Sequence, residues 1–206
     1  MSTPYRQIRA AYTEEVVTVY QAYEPRIADA ALAAGRFVPP FKRERMTWIK
    51  PSFLWMMYRC GWAGKPGQER VLAIDITREG LSWALSHACL SHYDPRVHSG
   101  QAAWRARLRE SPVRVQWDPE RDVHLRPLPY RSIQIGLSGE AVHRYVGEWT
   151  TGIRDVTDTA HAVRRAVRDG DAAAIAALLP AERPYPHPPG LPEIFGPDTA
   201  APSPPA

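Results

Sequence analysis

Apolar residues along the chain follow two periodicities, one typical of strands and one typical of helices. Runs rich in β-branched and aromatic residues predict four strands and a short extended piece, at 15–23, 70–77, 113–117, 131–137 and 46–49 respectively. Helical spacing, or a Pro or Ser start with a Gly stop, predicts helices at 27–34, 51–59, 79–88, 102–109, 139–149, 157–168 and 171–180. Because strands and helices do not alternate regularly, we expect an α+β fold, with a split central sheet and C-terminal helices.

The end of the chain has a different character. From Pro180 onward, prolines dominate and large apolar residues become rare. The 206 residues therefore predict one domain, residues 1–180, and a Pro-rich tail, residues 181–206, that is disordered or extended. Such a tail can bind a partner protein as a peptide ligand.

Composition is that of an ordinary globular domain. No secretory signal pattern and no membrane-length apolar run occurs, so we expect a cytoplasmic protein without membrane contact. The two cysteines, Cys60 and Cys89, cannot form a disulfide framework. A formal charge of +4 comes mainly from arginine, whose fork suits phosphate or carboxylate, although a GC-rich genome also enriches arginine.

The segment 45–62 combines aromatic and basic side chains in a way that a plain core segment does not need. Its large aromatic and cationic residues include Arg45, Trp48, Lys50, Trp55, Arg59 and Trp62. A buried cation without a partner is costly, so such residues pair, extend to solvent or meet an anionic ligand. We interpret the segment as the wall of a pocket for a flat, phosphate-bearing molecule.

Lys50 and Ser52 flank Pro51 at the predicted start of a helix. Free backbone N–H groups and the helix dipole make such a start an anion site, to which a cation and a hydroxyl would add. The alternative is that Ser52 only caps the helix while Lys50 lies in solvent.

Further contacts to a ligand are expected from nearby residues. Arg45, Thr47 and Arg59 can bind phosphate or carboxylate, unless the arginines form salt bridges with Glu44 or Glu69. Stacking or cation–π contacts with the ligand are expected from at least one of the large aromatics Tyr20, Tyr23, Trp48, Trp55 and Trp62, although each residue of this kind more often belongs to the core.

Gln21 and Gln134 each lie in the middle of an apolar predicted strand. A buried amide needs hydrogen-bond partners, so two central strands would direct both amides into a shared cleft. The alternative is a position on the polar face of each strand. Arg131 and Ser132, on the same strand as Gln134, complete the predicted ligand-binding set. Three histidines, Cys89 and Asp94 lie within 87–98, but their spacing matches no zinc motif, and we expect no metal.

Three segments carry a resemblance to a known family. The residues at 19–23 (VYQAY), 45–56 (RMTWIKPSFLWM) and 131–137 (RSIQIGL) resemble the signatures of domain-of-unknown-function family 4291, and the similarity spans roughly residues 6–179. That resemblance implies no particular activity.

The order of elements is also similar, at the level of the fold, to the ADP-ribosyltransferases. That similarity implies NAD as the donor, with Gln21 on the first strand, Tyr58 or Trp55 stacking, and Gln134 or Ser132 in the late position. Two departures stand out: Gln21 replaces the usual first-strand His or Arg, for which Arg9 is the nearby arginine, and the last strand contains no Glu.

The expected function is therefore an NAD-dependent, ADP-ribosyltransferase-like transferase with catalytic Gln21 and Gln134, acting on a nucleic acid, nucleotide or protein. The alternative is a module that binds RNA or single-stranded DNA without turnover, in which aromatics stack on bases and arginines contact phosphates. A third interpretation is a regulatory domain that recognises a nucleotide signal or a partner protein.

Overall fold

The computed structural model describes residues 3–186. Its strands are β1 (Arg9–Ala10), β2 (Val16–Tyr23), β3 (Thr47–Ile49), β4 (Arg70–Thr77), β5 (Ala88–Leu90), β6 (Val113–Arg121), β7 (Pro127–Leu137), β8 (Thr150–Asp155) and β9 (Arg183–Pro184). Its helices are α1 (Pro25–Ala34), α2 (Phe53–Cys60), α3 (Arg78–Ser86), α4 (Gln101–Glu110), α5 (Glu140–Arg144), a π-helix (Tyr145–Trp149), α6 (Thr157–Asp169) and α7 (Ala172–Leu178). Within these residues, no helix is both long enough and apolar enough to cross a membrane.

Two sheets form the centre of the molecule. One is antiparallel with the strand order β2-β4-β8, and the other has the order β3-β7-β6-β5, in which β5 runs parallel to β6. They meet at an isolated bridge, where the backbone N–H of Tyr20 donates to the Lys50 carbonyl at 2.7 Å. The molecule is a single mixed α+β domain, as predicted.

The three-stranded sheet is covered on both faces. One face of β4 contributes Leu72, Ile74 and Ile76 to a large core shared with α1, α3 and α5. The opposite face contributes Val71 and Ala73 to a second core with α2 and α6. A strand buried on both faces reads as a nearly continuous apolar run, which is why β4 is clear in the sequence.

Two strands of the central sheets escape the sequence prediction, as do the two-residue strands β1 and β9. The predicted helix 139–149 is a short α5 followed by the π-helix, and the next residues form β8 at the edge of its sheet. β8 is polar and half-exposed, so it lacks the apolar alternation that identifies a strand. β5 is three residues long and too short to show a period.

The predicted tail begins too early. β9 pairs with β1, and Tyr185 is 5% exposed, with its ring edge-on to Tyr12 at 5.1 Å. A proline-rich segment can still form a short edge strand when an aromatic residue anchors it, so residues 181–186 belong to the domain. The remainder of the predicted tail, 187–206, lies outside the described residues.

Candidate functional site

A polar cleft of about 550 Å³ lies beside the bridge that joins the two sheets. Its lining includes many of the residues predicted from the sequence: Gln21, Tyr23, Arg45, Thr47, Trp48, Lys50, Arg59 and Gln134. β2 supplies the first two, β3 and its flanks supply the next four, α2 supplies Arg59 and β7 supplies Gln134. Pairing of β2 with β3 at one point only leaves room for these side chains between the sheets.

Gln21 is held at both ends of its amide. Its Nε2 donates to Thr47 Oγ1 at 2.7 Å and to the Trp48 carbonyl at 3.1 Å, while Oε1 accepts from the Tyr145 hydroxyl at 2.7 Å. Gln21 follows Val17 and Val19 on the β2 face that is directed to the large core, so only 4% of it is exposed. The amide therefore fixes the cleft wall by linking β2, β3 and the π-helix.

Lys50 places its amine in the cleft, where no carboxylate of residues 3–186 pairs with it. Its side chain is 6% exposed, and Nζ donates to the Trp48 carbonyl at 3.0 Å and lies 5.6 Å from the centre of the Trp55 ring. Burial lowers the pKa of Lys50 to about 7, with a further contribution from the Arg59 guanidinium that outweighs the attraction of Asp118. The amine can therefore change its protonation state near neutral pH.

The opposite wall is an amide pair held by a carboxylate. Gln116 and Gln134 face each other across β6 and β7, and their Nε2 atoms donate to Asp118 at 2.9 and 2.7 Å. Sequence reasoning missed Gln116 and Asp118, as well as Gln68 in the cleft lining. The alternation of Arg114, Gln116 and Asp118 with apolar residues is the signal that marks a polar face of β6.

The Trp48 ring packs over Gly136, its partner on β7, and lines the cleft there. A Cβ on Gly136 would lie 2.9 Å from Trp48 Cζ2, closer than side chains pack. Tyr23 is fixed from the other side through its hydroxyl, 3.3 Å from Thr47 Oγ1. Both aromatic residues therefore have defined positions along the cleft.

A second cavity of about 390 Å³ adjoins the cleft. The two share Tyr23, Arg45, Met46 and Thr47. The second adds Lys42 and the ion pair of Arg26 with Glu24, at 2.6 Å, to the lining. Among the described residues, Arg45 and Lys42 are therefore the basic lining residues of the second cavity that no carboxylate of that lining neutralises, and Arg45 is common to both spaces.

The helix start beside Lys50 is occupied by groups of the protein itself. Ser52 caps α2, accepting from the Trp55 N–H at 3.1 Å and donating to Glu120 at 2.9 Å. The Phe53 N–H donates to Glu182 at 2.6 Å. The predicted anion site at this helix start is therefore filled by the Glu182 carboxyl group. Ser52 caps the helix, as the alternative interpretation states, but Lys50 is buried rather than in solvent.

The other predicted site residues lie away from the cleft lining. Tyr20 packs edge-on against Phe53, Trp55 is buried behind Lys50, and Tyr58 stacks under the Arg121 guanidinium at 3.6 Å. The remaining three bind protein groups: Arg9 the Glu182 carbonyl, Arg131 the Tyr5 hydroxyl, and Ser132 the Glu120 carboxylate.

Across residues 3–186, no three His, Cys, Asp or Glu side chains form a group that could hold a metal ion. Two residues of the segment 87–98 contact residues outside it. His87 stacks on Trp83, and Asp94 forms an ion pair with Arg6 at 3.0 Å.

Comparison with curated proteins finds no match to this chain. Comparison with protein families finds one model, described as a domain of unknown function, that matches residues 7–185. That match includes the strands of the cleft, α2 and the terminal strand β9. The chain belongs to the DUF4291 family, as the three sequence signatures predict.

Proposed function

We propose that the cleft binds a nucleotide-like, phosphate-bearing small molecule. The observation that carries this proposal is the buried amine of Lys50, which has no ion-pair partner among residues 3–186 and lines the same cleft as Gln21, Arg59 and Gln134. A buried titratable group with a shifted pKa in a cleft is typical of a functional site. An entering phosphate would satisfy Lys50 and offset its repulsion by Arg59.

The rest of the lining suits the other parts of such a ligand. The amides of Gln68, Gln116 and Gln134 can donate to and accept from a heterocycle or a ribose. Trp48 and Tyr23 offer aromatic surface at defined positions. The adjoining cavity lengthens the space, which favours a dinucleotide over a mononucleotide.

NAD is the dinucleotide that we assign, with ADP-ribosyl transfer as the reaction. The bond between ribose C1′ and the nicotinamide nitrogen breaks, nicotinamide leaves with the electron pair, and an acceptor nucleophile forms the new bond to C1′ and loses its proton. Positive charge develops on the ribose in the transition state, so a carboxylate beside it is stabilising. β7 has no acid of its own. In this proposal Asp118 on the neighbouring strand, which does not itself line the cleft, accepts from Gln134 at 2.7 Å and places its negative charge behind the Gln134 amide that faces the ribose.

Calorimetric titration with NAD and with ADP-ribose tests the binding step. Because phosphate contact raises the pKa of Lys50 from about 7, binding at roughly pH 8 should take up a proton. Heats measured in two buffers with different ionisation enthalpies reveal this uptake. Lys50→Met should abolish it, and Arg59→Gln should weaken binding roughly tenfold or more. Arg109→Gln, an exposed arginine on α4, is the matched control and should leave binding unchanged.

Release of nicotinamide from NAD, with a mixture of nucleic acid and protein acceptors, tests the reaction step. Asp118→Asn should abolish release while retaining NAD binding. Binding of ADP-ribose without release of nicotinamide from NAD would refute the transferase activity and would support the nucleotide-binding site. Absence of binding by either molecule would refute the NAD assignment.

A further inference from the structure

A groove of about 670 Å³ lies between α6, the turn that joins β6 to β7, and the residues that follow α2. We call it the α6 groove. Trp62 and Leu125 belong to its apolar part, while His161, Arg164, Arg165 and Arg168 supply a basic side. It shares no lining residue with the cleft that holds Lys50.

The basic side follows from the helical period of α6. Thr157, Ala160, Val163 and Ala166 form the buried side of the helix. His161, Arg164, Arg165 and Arg168 are spaced by three, one and three residues, so they lie together on the neighbouring side. The packing of α6 against α2 and β4 thus directs its cations along one edge of the groove.

These cations lack the acidic partners that a structural role would require. Arg164 and Arg165 are exposed and form no hydrogen bond or ion pair within residues 3–186, and no Asp or Glu lines the groove. Within the described part of the chain, Arg168 pairs with the adjacent Asp169, at 3.2 Å. Like charges at this spacing destabilise a helix, so the cluster carries a cost that an anionic ligand would remove.

Backbone strain is concentrated at the same groove. Gly61, Trp62 and Ala63 follow α2 in the left-handed region, with φ of 62°, 58° and 61°, and Leu125 has φ of 62°. Bulky residues avoid this region, and strained backbone of this kind clusters at ligand sites. Trp62 and Leu125, which both line the groove, therefore have backbone conformations that are unfavourable for residues with large side chains.

We infer that the α6 groove binds single-stranded nucleic acid. Arginine forks bind phosphate in two-point contacts, and successive phosphates of a strand would follow the row of cations along α6. The apolar part and the two imidazoles of His124 and His161 can receive unpaired bases, whose faces a duplex would hide. The groove is open rather than enclosed, as a chain that continues beyond the site requires.

Fluorescence anisotropy with labelled oligo(dT) and oligo(rU) of about 12 nucleotides, at roughly 50 to 200 mM salt, tests this inference on the full chain. Arg164→Gln with Arg165→Gln should weaken binding roughly tenfold or more. It should also lower the slope of log affinity against log salt by about 1.4, because each phosphate contact to a single strand contributes about 0.7. Arg36→Gln with Arg109→Gln removes the same charge from exposed positions outside the groove and should leave the slope unchanged.

Four results would overturn the inference. They are no binding of the oligonucleotides at the lower salt concentration, an equal loss of affinity in the control variant, binding of duplex as tight as that of single strands, and competition by polyglutamate as strong as that by the unlabelled oligonucleotide. Arg164→Lys with Arg165→Lys preserves charge and should preserve the salt slope, which provides a second check if the glutamine pair does not fold. Since no cleft residue is changed, failure here leaves the NAD site standing, and the converse also holds.

Discussion

At the scale of single residues, Lys50 shows how a functional group can be costly to the fold. Its folded-state pKa of about 7 lies below the usual 10.5, so the unfolded chain holds the proton more tightly than the folded protein. The destabilising contribution is therefore full below about pH 7 and fades as the pH rises towards 10.5. A difference of this size corresponds to a cost on the order of 5 kcal/mol at most.

We therefore expect Lys50→Met to raise the free energy of unfolding at about pH 6 and to lose that gain near pH 10. The Trp48 carbonyl, which would lose the lysine as a donor, still accepts from Gln21. Urea unfolding at the two pH values measures the change, with exposed Arg36→Met as the control. A less stable variant at the lower pH would show that the amine contributes to the fold rather than to a ligand site.

For Gln21 we expect a substitution to destabilise the fold, in contrast to Lys50→Met at about pH 6. Replacing its amide by a carboxylate in Gln21→Glu removes the donor to Thr47 and to the Trp48 carbonyl and places negative charge against that carbonyl. We expect this variant to lose several kcal/mol of stability, because each buried polar group left without a hydrogen bond costs about 1–3 kcal/mol. Thermal melts check this, and exposed Gln101→Glu should melt like the parent protein. If Gln21→Glu melts normally, water reaches the amide and its role lies in the cleft chemistry.

At the scale of elements, the start of α2 depends on the carboxyl group of Glu182, from the C-terminal end of the domain. Burial raises the pKa of Glu182 to about 8, although the Phe53 N–H favours the charged form. The folded protein therefore binds this proton more tightly than the unfolded chain, and stability falls as the pH rises from about 4.5 to 8.

Glu182→Gln keeps an oxygen for the Phe53 N–H and removes the charge, so we expect a higher melting temperature than the parent at about pH 8.5 and an equal one near pH 4. Melting curves at both values test this, with Glu110→Gln at an exposed position as control. An equal difference at both pH values would contradict titration of Glu182 as the cause.

Strands β3 and β7 depend on one another through Gly136. We expect Gly136→Ala to displace Trp48, to cost about 1–3 kcal/mol of stability and to weaken ligand binding in the cleft. Gly147→Ala adds the same methyl group in open space and should do neither. Normal binding by Gly136→Ala would show that Trp48 does not contact the ligand.

What the sequence could predict follows from the range of the interactions. α6 is predicted at 157–168 and observed at Thr157–Asp169, because its amphipathic period and the following glycine are local signals. The cleft positions of Gln21 and Gln134 also follow from polar residues within apolar strands. Glu182 could not be predicted at the start of α2, since 129 residues separate it from Phe53 and only the pairing of β9 with β1 brings it there.

At the scale of the whole molecule, the domain should extend to residue 186. A chain ending at 180 loses the Glu182 contact, β9 and the buried ring of Tyr185, and should be destabilised by about 2–5 kcal/mol. A chain ending at 186 should unfold like the full chain. Unfolding of both chains in urea measures the difference in stability. Equal stability of the two chains would show that the domain ends at residue 180.

Helix α2 and the turn that follows it reach both proposed sites. Arg59 lines the cleft, and Trp62, three residues later, lines the α6 groove. A ligand that moves the end of α2 at one site must change the affinity at the other, and the coupling free energy is the same in both directions. The left-handed turn after α2 is thus the physical link through which nucleotide and nucleic acid would cooperate or compete.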